Sequence, residues 1–587
     1  MPSDRKIKNY LALLYGERRA DLAWQQLSER LAVFAARYPG LNRGVRSTGQ
    51  RLTEKDAILI TYGDQFLEPD RAPLETLHRF LRTYLADVLS GVHILPCFPF
   101  SSDDGFSVID YMQIDPNLGT WADIDALSQD FRLMLDAVIN HISRQSAWFQ
   151  AFLQEERPYS LYFIRVDPET DLSNVVRPRA LPLLTPVETI YGTSHVWTTF
   201  SDDQIDLNYA DPQVLLEIID VLLHYVSHGA EFIRLDAIAY LWKEIGTSCI
   251  HLPQTHLVVK LWRAVLDMVA PGVMLITETN VPHEENISYF GDAVPGTGST
   301  DEAQMVYNFS LAPLTLHALQ TGDALRLSRW ASMLKTPVPG ATFFNFIASH
   351  DGIGVRPAEG ILTADEVQRL VDQTIAHGGQ VSYKDNPDGT RNVYELNTTL
   401  YDFLNDPRSP DLEIDVNRFL ASQAILLSLA GVPGIYVHSL FGSRNCRPCY
   451  EETGRSRSLN REKFECWQIE EMLADQCSHC HHVYHGVRQL LQLRREHSAF
   501  HPASIQEVLA LSRSVFGLIR SSLDGSDTVI CLINVSDRSQ EVDLSLNAMS
   551  LTRGGSLQDL VSQADIGATD GRLHVVLQPY QIMWLTS

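Results

Sequence analysis

From residue 55 onward, short apolar runs alternate with amphipathic stretches, and this alternation limits the possible folds more than any other feature. The apolar runs that predict buried strands are AILITYG (57–63), GVHILPCF (91–98), RLMLDAVIN (132–140), EFIRLDAIAYL (231–241), VMLITET (273–279) and FFNFIASHD (343–351). Helical patterns, such as residues 74–89 and 211–229, separate these runs. Such alternation over about 400 residues indicates parallel strands with helical crossovers. The number of units favours an α/β fold of the (β/α)8 TIM-barrel type over an open sheet.

Several segments do not follow the alternation of strands and helices, and they define the predicted domains. Residues 1–50 predict a helical extension, and residues 51–500 predict the barrel itself. A loop-rich stretch with several prolines, about 144–200, predicts an inserted domain, and a second irregular region covers about 355–410. Short β runs broken by Gly, Asp and Ser predict a C-terminal, sandwich-like all-β domain over residues 501–587.

The charge balance limits the kinds of partner. Lys and Arg total 47 and Asp and Glu total 72, so the formal net charge is −25. This charge repels phosphate polyanions and anionic lipid, so nucleic acid and membrane surfaces are not expected as partners. The chain has no run of about 18 apolar residues, and residues 1–31 do not resemble a signal peptide. We therefore expect a cytoplasmic protein.

Four of the predicted strands end in charged or imidazole side chains. They are the segments DAVINH (136–141), FIRLD (232–236), TET (277–279) and ASHD (348–351). The carboxyl ends of parallel barrel strands converge on one mouth, where barrel enzymes carry their active sites. A single charge at a strand end is often a helix cap or a surface group, but four in order on one sheet are not explained by capping.

Paired carboxylates at such a mouth point to glycoside chemistry. Asp236 and Glu278 end consecutive strands, and neighbouring strands lie about 4.8 Å apart. A retaining mechanism needs a nucleophile and an acid about 5–5.5 Å apart, so this pair fits. We expect Arg234 to keep Asp236 ionised, and we expect Glu278 to have a raised pKa so that it can protonate a leaving oxygen.

The four strand-end motifs, in this order and spacing, resemble the conserved regions of the α-amylase superfamily over roughly residues 55–500. Further segments resemble the branch that contains sucrose phosphorylase. They are GVHILPCFPFSSDDGFSVIDYMQIDPNLGTW (91–121), HDGIGV (350–355), NVYELNTTLY (392–401) and SLNREKFE (458–465).

The resemblance implies a role for each matching residue. Asp236 is the expected nucleophile that forms a covalent glucosyl-enzyme, Glu278 the general acid/base, and Asp351 the third carboxylate, which stabilises the transition state. The residues expected to hold the donor glucose are Asp103, Phe106, His141, Arg234 and His350. Arg461 belongs to the Asn-Arg motif near the pocket, and Arg457 is an alternative for that role. The resemblance implies no metal and no organic cofactor, with inorganic phosphate as co-substrate.

The acceptor side decides between a phosphorylase and a hydrolase. An anion would need local cations, and the loop candidates are Arg356, Lys384, Arg391, Arg444 and Arg461. Near Tyr394 the chain has Asn392 and Glu395, where sucrose phosphorylases tend to have Asp and Gln. These departures resemble the relatives that cleave glucosylglycerate or glucosylglycerol, so Tyr394 and Glu395 are expected to bind such an acceptor.

The predicted activity is thus a retaining phosphorolysis of a small α-glucoside, glucosylglycerate or glucosylglycerol, to α-D-glucose 1-phosphate. The alternatives within the superfamily are a sucrose or sucrose 6-phosphate phosphorylase and an α-glucosidase. A barrel that has lost catalysis and serves as a binding subunit is the alternative from another class. The expected partners are the glucoside and phosphate alone, and the expected assembly is a monomer or a homodimer.

Two pairs of cysteines have the Cys-x-x-Cys spacing of a zinc knuckle. They are Cys446–Cys449 and Cys477–Cys480. Four thiolates from two such pairs suit a tetrahedral structural zinc site. A regulatory disulfide and free thiols in a reducing compartment are the alternatives.

Overall fold

Eight parallel strands form a closed barrel in which each strand pairs with the next along the chain and the last pairs with the first. The computed structural model describes residues 3–41, 51–178, 181–385, 390–546 and 556–587. The barrel strands are β1 (Ile58–Thr61), β2 (Gly91–Ile94), β3 (Arg132–Ala137), β4 (Ala230–Leu235), β5 (Met274–Thr277), β6 (Met305–Asn308), β7 (Thr342–Asn345) and β8 (Val432–Tyr436). The predicted (β/α)8 barrel is confirmed.

The apolar runs predict six of these eight strands and miss β6 and β8. In β8, Pro433 and Gly434 lie within the strand, and both residues normally argue against a central strand. Gly434 is required there because a Cβ would lie 2.5 Å from the ring of Phe344 on β7. Close packing inside the barrel therefore selects residues that weaken the local strand signal.

Helices surround the barrel, and prolines begin several of them. The longer ones are Pro73–Tyr84, Trp121–Asp130, Pro212–Ser227, Pro253–Val269, Leu311–Thr321, Leu325–Met333, Leu412–Ser428 and His479–Glu496. Pro73, Pro212 and Pro253 occupy the first helical turn, where the missing N–H has no partner to lose. The shorter helices outside the segments described below are His283–Ile287, Leu400–Leu404, Val437–Phe441, Arg447–Thr453 and Cys466–Ala474.

The first two helices pack on the outside of the barrel. Ser3–Tyr15 lies against the helix Pro253–Val269, and Glu17–Arg37 lies against Pro212–Ser227. Each buries one apolar stripe, such as the fully buried Leu27 in the second helix. None of the helices in the described part of the chain is long and apolar enough to cross a membrane.

Two segments inserted at the carboxyl end of the barrel have regular structure. The first, between β3 and β4, contains the strands His141–Ser143, Leu184–Thr189, Gly192–Trp197 and Gln204–Asp206 and the helix Ala147–Leu153. The second contains the helix Ala364–Ala376 and the antiparallel strands Ile353–Gly354, Gln380–Asp385 and Arg391–Asn397. A capping box formed by Thr363 and Glu366 starts that helix, in a region that the sequence predicts to be irregular.

The C-terminal region forms an eight-stranded antiparallel sheet. Its strands are Ile505–Val508, Val515–Ser521, Thr528–Asn534, Gln540–Ser545, Ser556–Asp559, Asp565–Thr569, Arg572–Leu577 and Ile582–Thr586. Buried Arg520 donates hydrogen bonds to the backbone oxygens of Ser428, at 2.9 Å, and His501, at 2.8 Å. These contacts attach the sheet to the last barrel helices, and the exact domain boundaries remain predictions.

The cysteines do not assemble the predicted zinc site. Cys446 and Cys449 are joined by a disulfide, while Cys477 is exposed and Cys480 is buried, both as free thiols. Within the described residues, no group of three or more His, Cys, Asp or Glu is placed to hold a metal ion. The x-x spacing brings Cys446 and Cys449 into one disulfide, whereas Cys477 and Cys480 differ in exposure and remain separate thiols. A regulatory role for the disulfide remains a prediction.

Arg494, on the helix His479–Glu496, is a buried cation at the amino end of the barrel. Its guanidinium donates to the backbone oxygens of Glu54, Asp56, Gly431 and Phe500. Glu54 and Asp56 precede β1, Gly431 precedes β8, and Phe500 lies at the start of the C-terminal region. One side chain therefore joins three parts of the fold.

We expect Arg494→Met to lower the free energy of unfolding by about 2–4 kcal/mol, because buried carbonyl groups lose charged donors worth roughly 1.5–3 kcal/mol each. Urea unfolding followed by tryptophan fluorescence measures the change. Arg495→Met, at the partly exposed neighbouring position, is the control and should stay within about 0.5 kcal/mol of the unmodified protein. Equal unfolding midpoints for the two variants would contradict the structural role of Arg494.

Candidate active site

Side chains from several strands and both inserted segments line one cavity at the carboxyl end of the barrel. Asp236 directly follows β4, and Glu278 directly follows β5. The predicted site residues that line this cavity are Asp103, Phe106, His141, Asp236, Glu278, Asp351, Tyr394 and Glu395. Arg234 and His350 lie directly behind it, and Arg461 lines an adjoining cavity. The structure thus brings the predicted residues together.

Arg234 is the centre of the charged cluster. Its Nη1 donates to Asp136 Oδ1 at 2.7 Å and to Asp236 Oδ1 at 2.8 Å, and its Nη2 lies 3.9 Å from Glu278 Oε2. The barrel register places Asp136 of β3 directly opposite Arg234 of β4. Asp236 and Glu278 thus lie against the same guanidinium, at the ends of two adjacent parallel strands.

Burial raises the pKa of both Asp236 and Glu278, although Arg234 acts in the opposite direction on each. From the sequence we expect Arg234 to keep Asp236 ionised, but the pKa of Asp236 is raised. Burial among other carboxylates outweighs the contact with Arg234. Each of the two carboxyl groups therefore holds a proton more firmly than an exposed carboxyl group does. Arg234 contacts Asp236 at 2.8 Å and Glu278 only at 3.9 Å, so the cation opposes this effect at shorter range on Asp236.

The turn after β4 contributes a backbone donor to the site. Ala237 has a left-handed backbone conformation, with φ 49°, and its N–H donates to Glu278 Oε2 at 3.0 Å. A residue other than glycine in this conformation stores strain, which is common at functional sites. The strained turn fixes the orientation of Glu278 relative to Asp236.

Asp351 has cationic partners of its own. Arg457 Nη1 lies 2.6 Å from Asp351 Oδ1, and Arg461 Nη2 lies 3.7 Å away. Burial alone would raise the pKa of Asp351, but Arg457, His350 and Arg461 together hold it well below its usual range. Asp351 is therefore ionised at neutral pH.

The side of the cavity expected to bind glucose combines aromatic and neutral polar groups. Phe106 stacks on His350 with ring centroids 5.0 Å apart. Gln204 Nε2 donates to the backbone oxygen of Phe106 at 2.8 Å and to Asp103 Oδ2 at 3.3 Å. Burial lowers the pKa of His141 and lowers that of His350 to about 3, so both imidazoles are neutral at pH 7.

Sequence reasoning misses several residues that line the cavity. They are Phe200, Gln204, Ala237 and Asn280. Phe200 and Gln204 belong to the segment between β3 and β4, where Gln204 pairs in register with Ser143. No periodicity marks such positions in one sequence, because their placement depends on how the insertion folds back onto the barrel.

Arg457, which the sequence offers as the alternative to Arg461, lies between Asp351 and the predicted acceptor residue Glu395. Its Nε and Nη2 donate to both oxygens of Glu395, at 3.1 and 2.6 Å, in addition to the contact with Asp351. Arg461, the residue preferred from the sequence, donates from Nε to the backbone oxygen of His350 at 2.8 Å and pairs with Asp104. Arg457 therefore lies closer to the carboxylates of the cavity than Arg461.

The remaining predicted cations lie outside both cavities. Arg444 donates to Asp402 at 2.9 Å, and Arg356 lies 3.9 Å from Glu285. Arg391 is exposed at the start of its strand, and Lys384 lies on the neighbouring strand. Neither Lys384 nor Arg391 is among the residues that line the two cavities.

Comparison with known proteins agrees with this geometry. Residues 83–355 match the family model "Alpha amylase, catalytic domain". The solved structure of sucrose 6F-phosphate phosphorylase from Thermoanaerobacter thermosaccharolyticum superimposes with a TM-score of 0.70 and 27% identity, covering 82% of this chain and 94% of that one.

Two curated relatives match along their whole length. The chain is 49% identical to glucosylglycerate phosphorylase of Allomeiothermus silvanus, covering 99% of this chain and 98% of the relative. It is 45% identical to glucosylglycerate phosphorylase of Escherichia coli, covering 99% and 100%. The barrel, the carboxylate cluster and these similarities together show that the chain belongs to the α-amylase superfamily, in its branch of glycoside phosphorylases.

Proposed function

We propose that the protein is a glucosylglycerate phosphorylase, which converts 2-O-α-D-glucosylglycerate and phosphate reversibly to α-D-glucose 1-phosphate and glycerate. The reaction type is supported by the cluster of three carboxyl groups in the cavity, Asp236, Glu278 and Asp351. Arg234 contacts Asp236, and Arg457 contacts Asp351. The relatives that are 45–49% identical over their full length support glycerate as the acceptor. A glucosylglycerol phosphorylase of Marinobacter adhaerens is only 27% identical, over 74% of this chain.

In the first half-reaction, the Asp236 carboxylate attacks the anomeric carbon while the bond from that carbon to the glycerate oxygen breaks. Glu278 gives its proton to the departing oxygen, for which the raised pKa prepares it. The ionised Asp351 stabilises the positive charge that develops on the sugar. The products of this step are free glycerate and a covalent glucosyl-enzyme.

In the second half-reaction, an oxygen of phosphate forms a bond to the anomeric carbon, and the bond to Asp236 breaks. The electron pair of that bond returns to the Asp236 carboxylate, and any proton on the attacking oxygen goes to the ionised Glu278. Two inversions give net retention, so the product is the α-anomer of glucose 1-phosphate. Nucleophile, acid and charge stabilisation all come from side chains, so the proposal needs no metal and no organic cofactor.

We also propose the compartment, the partners and the assembly of the protein. Six free cysteines are present in the described residues, which suits a reducing compartment such as the cytoplasm. The proposed partners are the small glucoside and phosphate, with the protein acting as a monomer or a homodimer.

A substrate panel tests the activity. We expect glucose 1-phosphate and glycerate to form in equal amounts from glucosylglycerate, with kcat/KM higher by about tenfold or more than for glucosylglycerol, sucrose or sucrose 6'-phosphate, because a site built for a charged group discriminates against analogues that lack it. Enzymatic assay of glucose 1-phosphate, with and without phosphate, gives the comparison. Equal release of free glucose under both conditions would indicate a hydrolase instead.

The nucleophile is tested by Asp236→Asn. An amide cannot form the glucosyl ester, so turnover of glucosylglycerate should fall by roughly 10⁴-fold or more. Intact-protein mass spectrometry after incubation with α-glucosyl fluoride should show the glucosyl adduct on the unmodified enzyme only. Asp365→Asn, at an exposed position on the helix Ala364–Ala376, is the matched control and should retain full activity. An adduct on Asp236→Asn would exclude this residue as the nucleophile.

The acid is tested by Glu278→Gln through its dependence on the leaving group. Turnover of glucosylglycerate should fall by roughly 10³-fold, while fluoride release from α-glucosyl fluoride in the first turnover should change far less, because fluoride leaves without protonation. In the unmodified enzyme, activity on glucosylglycerate should decrease as pH rises through the raised pKa of Glu278, since the acid must be protonated. Equal losses with both donors would argue against an acid role.

A further inference from the structure

A second polar cavity lies at the amino end of the barrel, away from the catalytic carboxylates. It has a volume of about 270 Å³ and lies between the helices Ser3–Tyr15 and Pro253–Val269 and a short hairpin that precedes β6. We call it the basal cleft, and its charged lining residues are Lys6, Arg51, Lys260, Arg263, Asp267 and Asp301. Among the described residues, none lines both this cleft and the catalytic cavity.

The charges in the lining of the basal cleft favour an anion, although the whole protein is acidic. Two lysines, two arginines and two aspartates line the cleft. Both carboxylates are already paired with cations of the same lining. Asp267 lies 3.0 Å from Arg263 Nε. Asp301 lies 3.0 Å from Lys260 Nζ. The lining therefore has two more cations than carboxylates, in a chain whose net charge is −25.

Arg263 is a buried cation of this lining with an unused hydrogen-bond donor. Its side chain is 2% exposed. Its Nη1 donates to the backbone oxygen of Val273 at 2.8 Å and to Gln304 Oε1 at 2.9 Å. Its Nη2 is also buried but has no hydrogen-bond partner among the described residues. Because a buried charged donor without an acceptor is destabilising, an anion in the adjoining cleft would stabilise Arg263.

Lys6 and Arg51 bring further positive charge to the same space. Lys6 is partly buried on the helix Ser3–Tyr15 and forms no ion pair with another described residue. Burial and the charge of Arg263 lower the pKa of Arg51, although Asp267 acts in the opposite direction. Two guanidinium groups that are close enough to repel each other are stabilised by an anion near both.

We propose that the basal cleft binds a phosphate dianion, either inorganic phosphate or a small phosphate monoester, held by the positive charges of Lys6, Arg51 and Arg263. Two negative charges match the excess of two cations in the lining, and the cleft is small enough to favour a ligand of a few heavy atoms. Tyr10 also lines the cleft, and its hydroxyl is a further donor. The bound anion would connect the first helix to the helix Pro253–Val269.

The first test is isothermal titration with inorganic phosphate, without a glucosyl donor, of the unmodified protein and two variants. Lys6→Glu places a carboxylate in the cleft, so the affinity of this site should fall about tenfold or more. Arg5→Glu makes the same change of charge at an exposed position on the same helix and should bind phosphate like the unmodified protein. Any phosphate that binds in the catalytic cavity contributes equally to all three titrations.

A parallel titration with glycerol 2-phosphate distinguishes the two forms of the ligand. If glycerol 2-phosphate binds more tightly than inorganic phosphate, and Lys6→Glu loses this binding, the ligand is a monoester. If inorganic phosphate binds more tightly, the ligand is inorganic phosphate. The proposal is refuted if Lys6→Glu binds each anion as tightly as the unmodified protein does, or if both variants lose affinity equally.

The second test uses the unmodified protein and does not depend on a folded variant. Acetylation of lysine amines is followed by peptide mass spectrometry, in phosphate and in chloride at equal ionic strength. Labelling of Lys6 should fall about threefold when the phosphate concentration is about twice the Kd, because only the unoccupied fraction reacts. Lys8, exposed on the same helix, is the internal control and should react equally in both salts. Equal labelling of Lys6 in the two salts would overturn the assignment.

Discussion

The buried guanidinium of Arg234 is the cation around which Asp136, Asp236 and Glu278 are arranged. A cation in this position is stable only if carboxylates compensate it. Asp136 does so: burial alone would raise its pKa, but Arg234 and His93 lower it, so Asp136 remains ionised. The single positive charge of Arg234 is then balanced before Asp236 and Glu278 are counted. Burial then dominates at these two carboxyl groups and raises the pKa of each, which suits the acid role of Glu278.

The third carboxylate is controlled by a different part of the chain. Asp351 follows β7, and its cationic partners Arg457 and Arg461 come from the segment after β8. The pair Asp236 and Glu278 depends on contacts between β3, β4 and β5, whereas the ionised Asp351 depends on a loop far along the sequence. This separation lets the loop vary with the acceptor while the barrel strands keep the chemistry on the glucosyl unit unchanged.

The sequence was sufficient for the parts of the structure that follow from local periodicity. Alternation along β4 places Arg234 and Asp236 on one face, and consecutive strands place Glu278 next to them. The strand β8 escapes prediction because packing inside the barrel requires a glycine there. Gln204 could not be selected from one sequence, and the sequence could not decide between Arg457 and Arg461, since these positions depend on how the inserted segment and the segment after β8 fold over the mouth.

The net charge of −25 has little influence on the acceptor side, because exposed charges are screened over about 8 Å at physiological ionic strength. Local contacts matter more: Arg457 is paired with Asp351 and Glu395, so two neighbouring carboxylates compensate its charge. A reversible phosphorylase must also release each of its ligands. Glycerate must leave before phosphate can enter, and tight binding of either ground state would lower KM without accelerating the chemical step.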